Sequence, residues 1–262
     1  MLGNVKDKVS LITGAASGLG KGIATKFAQN GSNVVVADLD LTIAKATADE
    51  LSKQYGVSTL AVQMDVSSEE QVQAGVDATI AKFGRVDVLV SNAGIQIIAP
   101  IVEFEFAKWK KLLDIHLNGT FLTTKACMQK MIEKKTGGRV IVMGSIHSIE
   151  ASVDKSAYVA AKHALLGFVR SIAKEGAPHN ISSNLIAPGF VRTPLVEKQI
   201  PEQAKSLGIS EDEVVKHIML GDTVDGQFTT VDDIANVALF LAGFETNALT
   251  GQTMLVSHGI GM

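Results

Sequence analysis

Short, almost purely apolar segments recur along this chain between stretches of helical periodicity, and that alternation leaves few folds open to it. Val9 to Thr13, Val34 to Ala37, Thr59 to Met64, Val86 to Ser91, Arg139 to Met143, Ile181 to Ile186 and Thr253 to Val256 read as strands. A strand that is apolar at successive positions, as Val34-Val35-Val36-Ala37 is, loses solvent on both faces. The intervening segments place apolar residues three and four apart, as in Ile23, Ala24, Phe27 and Ala28 before the stop at Asn30-Gly31. Further helices are predicted for Thr42 to Tyr55, Gln71 to Phe83, Tyr158 to Glu175 and Ile234 to Ala242. Strand alternating with helix predicts an α/β chain, with one parallel sheet covered by crossover helices.

Two segments break the rhythm. Phe106 to Lys134 is helical in pattern but too long for one ordinary helix, so a bend or break is expected within it. From about Pro188 to Gln227 the chain turns polar, and its helical fragments are interrupted by Pro194, Pro201 and Gly208. No linker, repeat or low-complexity tract sets this segment apart, so it reads as a helical substrate lid (about 188–227) within one domain. At 262 residues the chain is within the range of a single large domain, 1–262.

Composition narrows the partners. With 46 % hydrophobic and 19 % charged residues and a formal charge of -3, the chain resembles an ordinary soluble protein. Acidic and basic residues are interspersed, which argues against nucleic acid and anionic membrane as partners. The longest apolar runs are far below a membrane span, and Lys6, Asp7 and Lys8 arrive before any signal-like region. Cys127 is the only cysteine, so no internal disulfide can form, and its neighbours make it a core thiol. A reducing, cytoplasmic location is the expectation. His147, His163 and His179 have no spacing that gathers metal ligands, so no metal is expected.

The turn after the first strand, Gly14-Ala15-Ala16-Ser17-Gly18-Leu19-Gly20, leads straight into a helix. Absent side chains let a backbone approach a pyrophosphate closely, while helix-start N–H groups face its charge. The spacing is Gly-x-x-x-Gly-x-Gly and not GxGxxG, and glycines alone also serve a plain tight turn. Asp38 ends the second strand, where a carboxylate can accept from adenosine ribose hydroxyls and would repel an extra phosphate. NAD is therefore expected over NADP. Asp65-Val66 and Asn92-Ala93-Gly94 also follow strands and can line an adenosine site, although such residues are common in structural turns.

Tyr158 and Lys162 are four apart and share a helix face. An ammonium near a phenol favours its ionised form, which brings a tyrosine toward acid-base work. Ser145, after the fifth strand, has a hydroxyl able to orient a carbonyl oxygen. Gln96, His147, Lys155 and Gln199 bracket this centre, and two amides, an imidazole and an ammonium can hold a small carboxylate.

Taken in order, Thr13 to Gly20, Asn92-Ala93-Gly94, Ser145, Tyr158-x-x-x-Lys162 and Pro188-Gly189-Phe190-Val191-Arg192-Thr193 resemble the short-chain dehydrogenase/reductase family over essentially the whole chain. The resemblance implies a Rossmann-like, doubly wound parallel sheet flanked by helices, usually assembled as a homotetramer. It implies NAD held by Gly14, Ser17, Gly18, Leu19, Gly20, Asp38, Asp65, Val66, Asn92, Ala93 and Gly94, with Tyr158, Lys162, Pro188, Gly189, Val191 and Thr193 at the nicotinamide end. Ser145 would orient the substrate, Tyr158 would act as acid-base, and Lys162 would lower the tyrosine pKa and bind the nicotinamide ribose.

One position departs from that family. Its usual Asn before Leu-x-Gly is His116 here, in His116-Leu117-Asn118-Gly119, and a relay or geometric role is expected of it. Ser91 also replaces the first Asn of Asn-Asn-Ala-Gly, and Val256-Ser257-His258-Gly259 departs from Val-Asp-Gly-Gly. Within the family, the segments around Gln96, His147, Lys155 and Val191 to Ile200 are similar to the bacterial D-3-hydroxybutyrate dehydrogenase branch. That likeness implies oxidation of D-3-hydroxybutyrate to acetoacetate and the reverse, with Gln96, His147, Lys155 and Gln199 on the carboxylate and Phe190 walling the pocket. Another short 3-hydroxy acid, a ring alcohol, or a catalytically quiet NAD-binding sensor are the alternatives.

Overall fold

The computed structural model describes residues 4–262. Seven parallel strands form one sheet in the order β3-β2-β1-β4-β5-β6-β7. They are β1 (Val9–Thr13), β2 (Asn33–Asp38), β3 (Thr59–Gln63), β4 (Val88–Ser91), β5 (Gly138–Met143), β6 (Ile181–Pro188) and β7 (Thr253–Val256). The chain runs outward from β1 to β3, then restarts at β4 on the other side of β1. That reversal opens a crevice at the carboxyl ends of β1 and β4, where α/β sheets bind ligands. The fold is the Rossmann-like sheet that the strand pattern predicted.

Helices α1 (Gly18–Gln29), α2 (Leu41–Tyr55) and α9 (Val231–Gly243) cover one face, and α3 (Glu69–Phe83), α5 (Gly119–Lys134) and α6 (Ser156–Gly176) the other. Two buried clusters result. One packs Ile23, Phe27 and Leu51 against Val34 and Val36, and the other packs Val76, Met131 and Leu165 against Leu89 and Val140. Alternate strand residues therefore serve opposite cores, which is why the strands read as unbroken apolar runs. Truncating a fully buried residue such as Leu51 to alanine is expected to cost about 2–5 kcal/mol.

Local chemistry sets the helix starts. Asp40 caps α2 by accepting from Thr42 N at 2.8 Å, and Thr230 with Asp233 forms a reciprocal capping box that begins α9 at Val231, earlier than periodicity alone suggested. The predicted break within 106–134 is a π-helical segment, Asp114–Asn118, between α4 (Phe106–Leu113) and α5. The segment after β6 folds into α7 (Pro194–Leu207), the single turn α8 (Glu211–Glu213) and a second π segment, Val214–Met219. It has its own small core of Val196, Ile200, Ala204, Val214 and Met219. At the amino end of the sheet, buried Arg139 donates to the carbonyls of Phe244 and Glu245, both at 2.9 Å, and so ties β5 to the end of α9. Among the described residues, no helix is long and apolar enough to cross a membrane.

Candidate active site

The carboxyl ends of β1 to β4 open into a cleft of about 720 Å3. Gly14, Ser17, Gly18 and Leu19 form one wall, Asp38, Asp65 and Val66 the far end, and Asn92, Ala93 and Gly94 the floor. Gly14 sits in the left-handed region at φ 63°, and a Cβ on Gly20 would fall 2.2 Å from the Gly14 carbonyl oxygen. Gly20 thus packs beneath the turn and does not line the cleft. Ser17 begins α1 without a side-chain cap, which leaves first-turn N–H groups for an anion. Asn92 pins the turn from below through Nδ2 to Thr13 O at 2.9 Å. Asp38 Oδ2 accepts from Ala16 N at 2.9 Å, while Oδ1 has only a 3.5 Å contact to Asp40 N. This donor-rich cradle with a carboxylate at its far end fits a nicotinamide dinucleotide.

A second, smaller pocket of about 90 Å3 adjoins the first. Gln96, Ser145, His147, Lys155, Phe190 and Gln199 all line it, with Tyr158 at the junction. They come from the loop after β4, the loop after β5, the start of α6 and the segment after β6. Lys155 is the only formally charged residue in its lining and is 1 % exposed. Its ammonium lies 5.2 Å from the Phe190 ring centroid, and burial pulls its pKa down to about 8. Among the described residues no carboxylate pairs with it. His147 is driven down to about 4 by burial and by the Lys155 charge, so it is neutral and offers one N–H and one lone pair.

Tyr158 and Lys162 lie one turn apart on α6, with the ammonium 5.4 Å from the phenol ring centroid. Lys162 Nζ donates to Met143 O at 2.6 Å. Sequence reasoning expected the lysine to draw the tyrosine pKa down. Here burial dominates: it pushes Tyr158 up to about 12 against an opposing hydrogen bond with Ser145, and pulls Lys162 down to about 7. In this state the tyrosine is a phenol.

His116 occupies the π segment, 3 % exposed. Its Nε2 lies 2.7 Å from Ile95 O and 3.0 Å from Ile95 N, so either neutral tautomer has a backbone partner. Burial and the nearby Lys162 charge hold its pKa near 3, which removes it from titration at ordinary pH. The ring fills the space over Gly94, where an added Cβ would fall 2.5 Å from His116 Cε1. Of the two roles expected of His116, these contacts serve geometry. Behind it, Thr120 Oγ1 donates to His116 O at 2.6 Å and meets Ser91 Oγ at 3.0 Å.

Of the residues expected at the nicotinamide end, Pro188, Gly189 and Val191 line the small pocket that adjoins the cleft, and Thr193 touches both cavities. Sequence reasoning also missed Ala107, Lys110 and Lys111 of α4 and Asp114 and Ile115 of the π segment, which together border the large cleft. Helical spacing of these residues was visible, but nothing in it told which polar face meets a void.

The geometry agrees with the comparisons. Residues 14–261 match the family model described as Enoyl-(Acyl carrier protein) reductase. A D-beta-hydroxybutyrate dehydrogenase of Rhizobium meliloti (strain 1021) is 35 % identical over 96 % of this chain and 98 % of its own. A second, from Cupriavidus necator, is 36 % identical over 93 % and 94 %. The crystal structure of L-sorbose reductase from Gluconobacter frateurii, complexed with NADPH and L-sorbose, superposes with a TM-score of 0.91 at 28 % identity, covering 100 % and 99 %. The chain belongs to the short-chain dehydrogenase/reductase family. It is a nicotinamide-dinucleotide oxidoreductase acting on a small hydroxy or keto substrate.

Proposed function

We propose that the chain interconverts D-3-hydroxybutyrate and acetoacetate with NAD. One observation carries this reading: a buried ammonium, Lys155, without a carboxylate partner among the described residues, in a pocket of about 90 Å3 beside Tyr158. An unpaired buried charge is costly, and a small carboxylate would relieve it. Gln96, His147 and Gln199 add neutral donors around the same position. The small volume disfavours substrates that must bring a long acyl chain into the pocket.

When bound, NAD supplies the hydride acceptor for oxidation, and its reduced form the hydride donor for the reverse. In oxidation the carbinol C–H bond breaks with its electron pair, and the hydroxyl proton passes to Tyr158 in its phenolate form, which the Lys162 ammonium beside the ring favours and which regenerates the phenol. Ser145 holds the substrate oxygen against the Tyr158 hydroxyl through the transfer. In reduction the phenol returns that proton. Asp38, in the lining of the cleft, supports NAD over its phosphorylated analogue. Exposed Phe106, Phe121 and Leu255 support a homo-oligomer, for which we propose a tetramer, and the location proposed is cytoplasmic.

An absorbance assay with both 3-hydroxybutyrate enantiomers, neighbouring hydroxy acids and neutral alcohols, each with NAD and NADP, tests the reading. Strong preference for the D-acid with NAD is expected. Preference for neutral alcohols or cyclic diols, which have no use for Lys155, would overturn it.

A further inference from the structure

The last strand ends in a turn, Val256 to Gly259, that touches both ends of the segment covering the substrate pocket. On the incoming side, Gly189 N donates to Val256 O at 2.9 Å, and a Cβ on Gly189 would lie 3.0 Å from Ser257 Cα. On the outgoing side, Val224 N donates to His258 O at 2.9 Å and Thr229 Oγ1 to Val256 O at 3.1 Å. The two sides are joined to each other by Thr229 N donating to Phe190 O at 3.1 Å and by the Val191–Thr229 bridge. Phe190 is itself a wall of the substrate pocket.

Within this junction one side-chain contact stands out. His258 Nδ1 lies 2.8 Å from Asp225 Oδ2. His258 adopts φ 51°, the left-handed region that histidine enters less readily than glycine. A glycine there would satisfy the backbone, so the side chain calls for another reason, and the bond to Asp225 supplies one. The bond also holds the Asp225 carboxyl below its ordinary range.

We propose that His258 and Asp225 are a positioning pair that fixes the outgoing end of the lid, and with it Phe190 and Gln199, in the pose that binds substrate. The inference rests on the reading of the small pocket as the substrate site. The pair is partly exposed, 25 % and 40 % for the two side chains.

The test compares wild type, Asp225→Asn, His258→Gly and His258→Asn with D-3-hydroxybutyrate. Asp225→Asn and His258→Gly are expected to raise KM about three- to fivefold, with kcat within about twofold, the range an exposed side-chain pair spans. His258→Asn, which keeps a left-handed backbone and a neutral donor, should fall nearer wild type than His258→Gly. Unchanged KM in both variants, or a loss of kcat and melting temperature that His258→Asn fails to rescue, overturns the inference. Inactivity of wild type toward the hydroxy-acid panel would instead overturn the reading of the site.

Discussion

The rings of His116 and Tyr158 meet edge to face, 5.3 Å between centroids and 88° between planes. The residue that replaces the family's usual Asn thus bears directly on the phenol, while its Nε2 holds the Ile95 backbone. His116→Asn keeps a donor and an acceptor for that backbone and is expected to stay active. His116→Ala leaves a buried backbone group unpaired, costing about 1–3 kcal/mol, which in a chain of this size lowers the melting temperature by roughly 2–4 °C per kcal/mol. Melting curves of the two variants check this, and an unchanged melting point for His116→Ala would refute the clamp. Wild-type pH–rate profiles should also contain no ionisation that His116→Asn removes between about pH 5 and 8.

Tyr158→Phe removes the proton carrier and leaves a ring of nearly the same shape. Turnover is expected to drop about 10²–10⁴-fold, while NADH affinity, read by fluorescence titration, changes little. A variant that retained most of its turnover would move the acid-base role to another group.

Lys155 should dominate the pH dependence of acid binding. Its ammonium is lost as pH rises through about 8, so KM for the hydroxy acid should climb above that value while neutral alcohols show no such rise. Lys155→Met replaces an unpaired buried cation by an apolar chain and is expected to raise the melting temperature as it raises KM. A variant less stable than wild type would show that the ammonium has a structural partner.

The fold was legible because its strands serve two cores at once, so Val34 to Ala37 and Val88 to Val90 could only be central and parallel. The site was legible where chemistry forces a residue type, as at Ser145, Tyr158, Lys162 and Lys155. It was not legible where shape alone decides. Gly20 reads as a cradle residue but packs against Gly14, a close approach that no spacing reveals. The pKa reversal at Tyr158 was hidden for the same reason: spacing shows the neighbouring charge and not the depth of burial.

Asp38→Ala removes the carboxylate at the far end of the cleft. The ratio of kcat/KM for NADPH over NADH is expected to rise about tenfold or more as repulsion of the extra phosphate is relieved. An unchanged ratio would place cofactor choice elsewhere.

Stability should increase with pH over a defined window. Lys155 and Lys162 have folded-state values of about 8 and about 7 against 10.5 ordinarily, so above the folded values the unfolded chain binds protons that the folded chain does not. Between about pH 7 and 9 this makes the melting temperature rise. Higher up, Cys127 and Tyr158, both held protonated to about 12, act in the opposite sense. A falling melting temperature across the lower window would contradict the burial of these two ammonium groups.

Four residues, Leu19, Gly144, Tyr158 and Thr193, belong to both cavities. Two ligands bound against that shared wall touch the same side chains, the physical route by which one affinity depends on the other. Whatever factor an occupied dinucleotide cleft applies to the dissociation constant of the acid, the acid must apply in return to the dinucleotide. The common wall makes each ligand a reporter of the other, so the grip of the small pocket can be weighed by titrating only the large one.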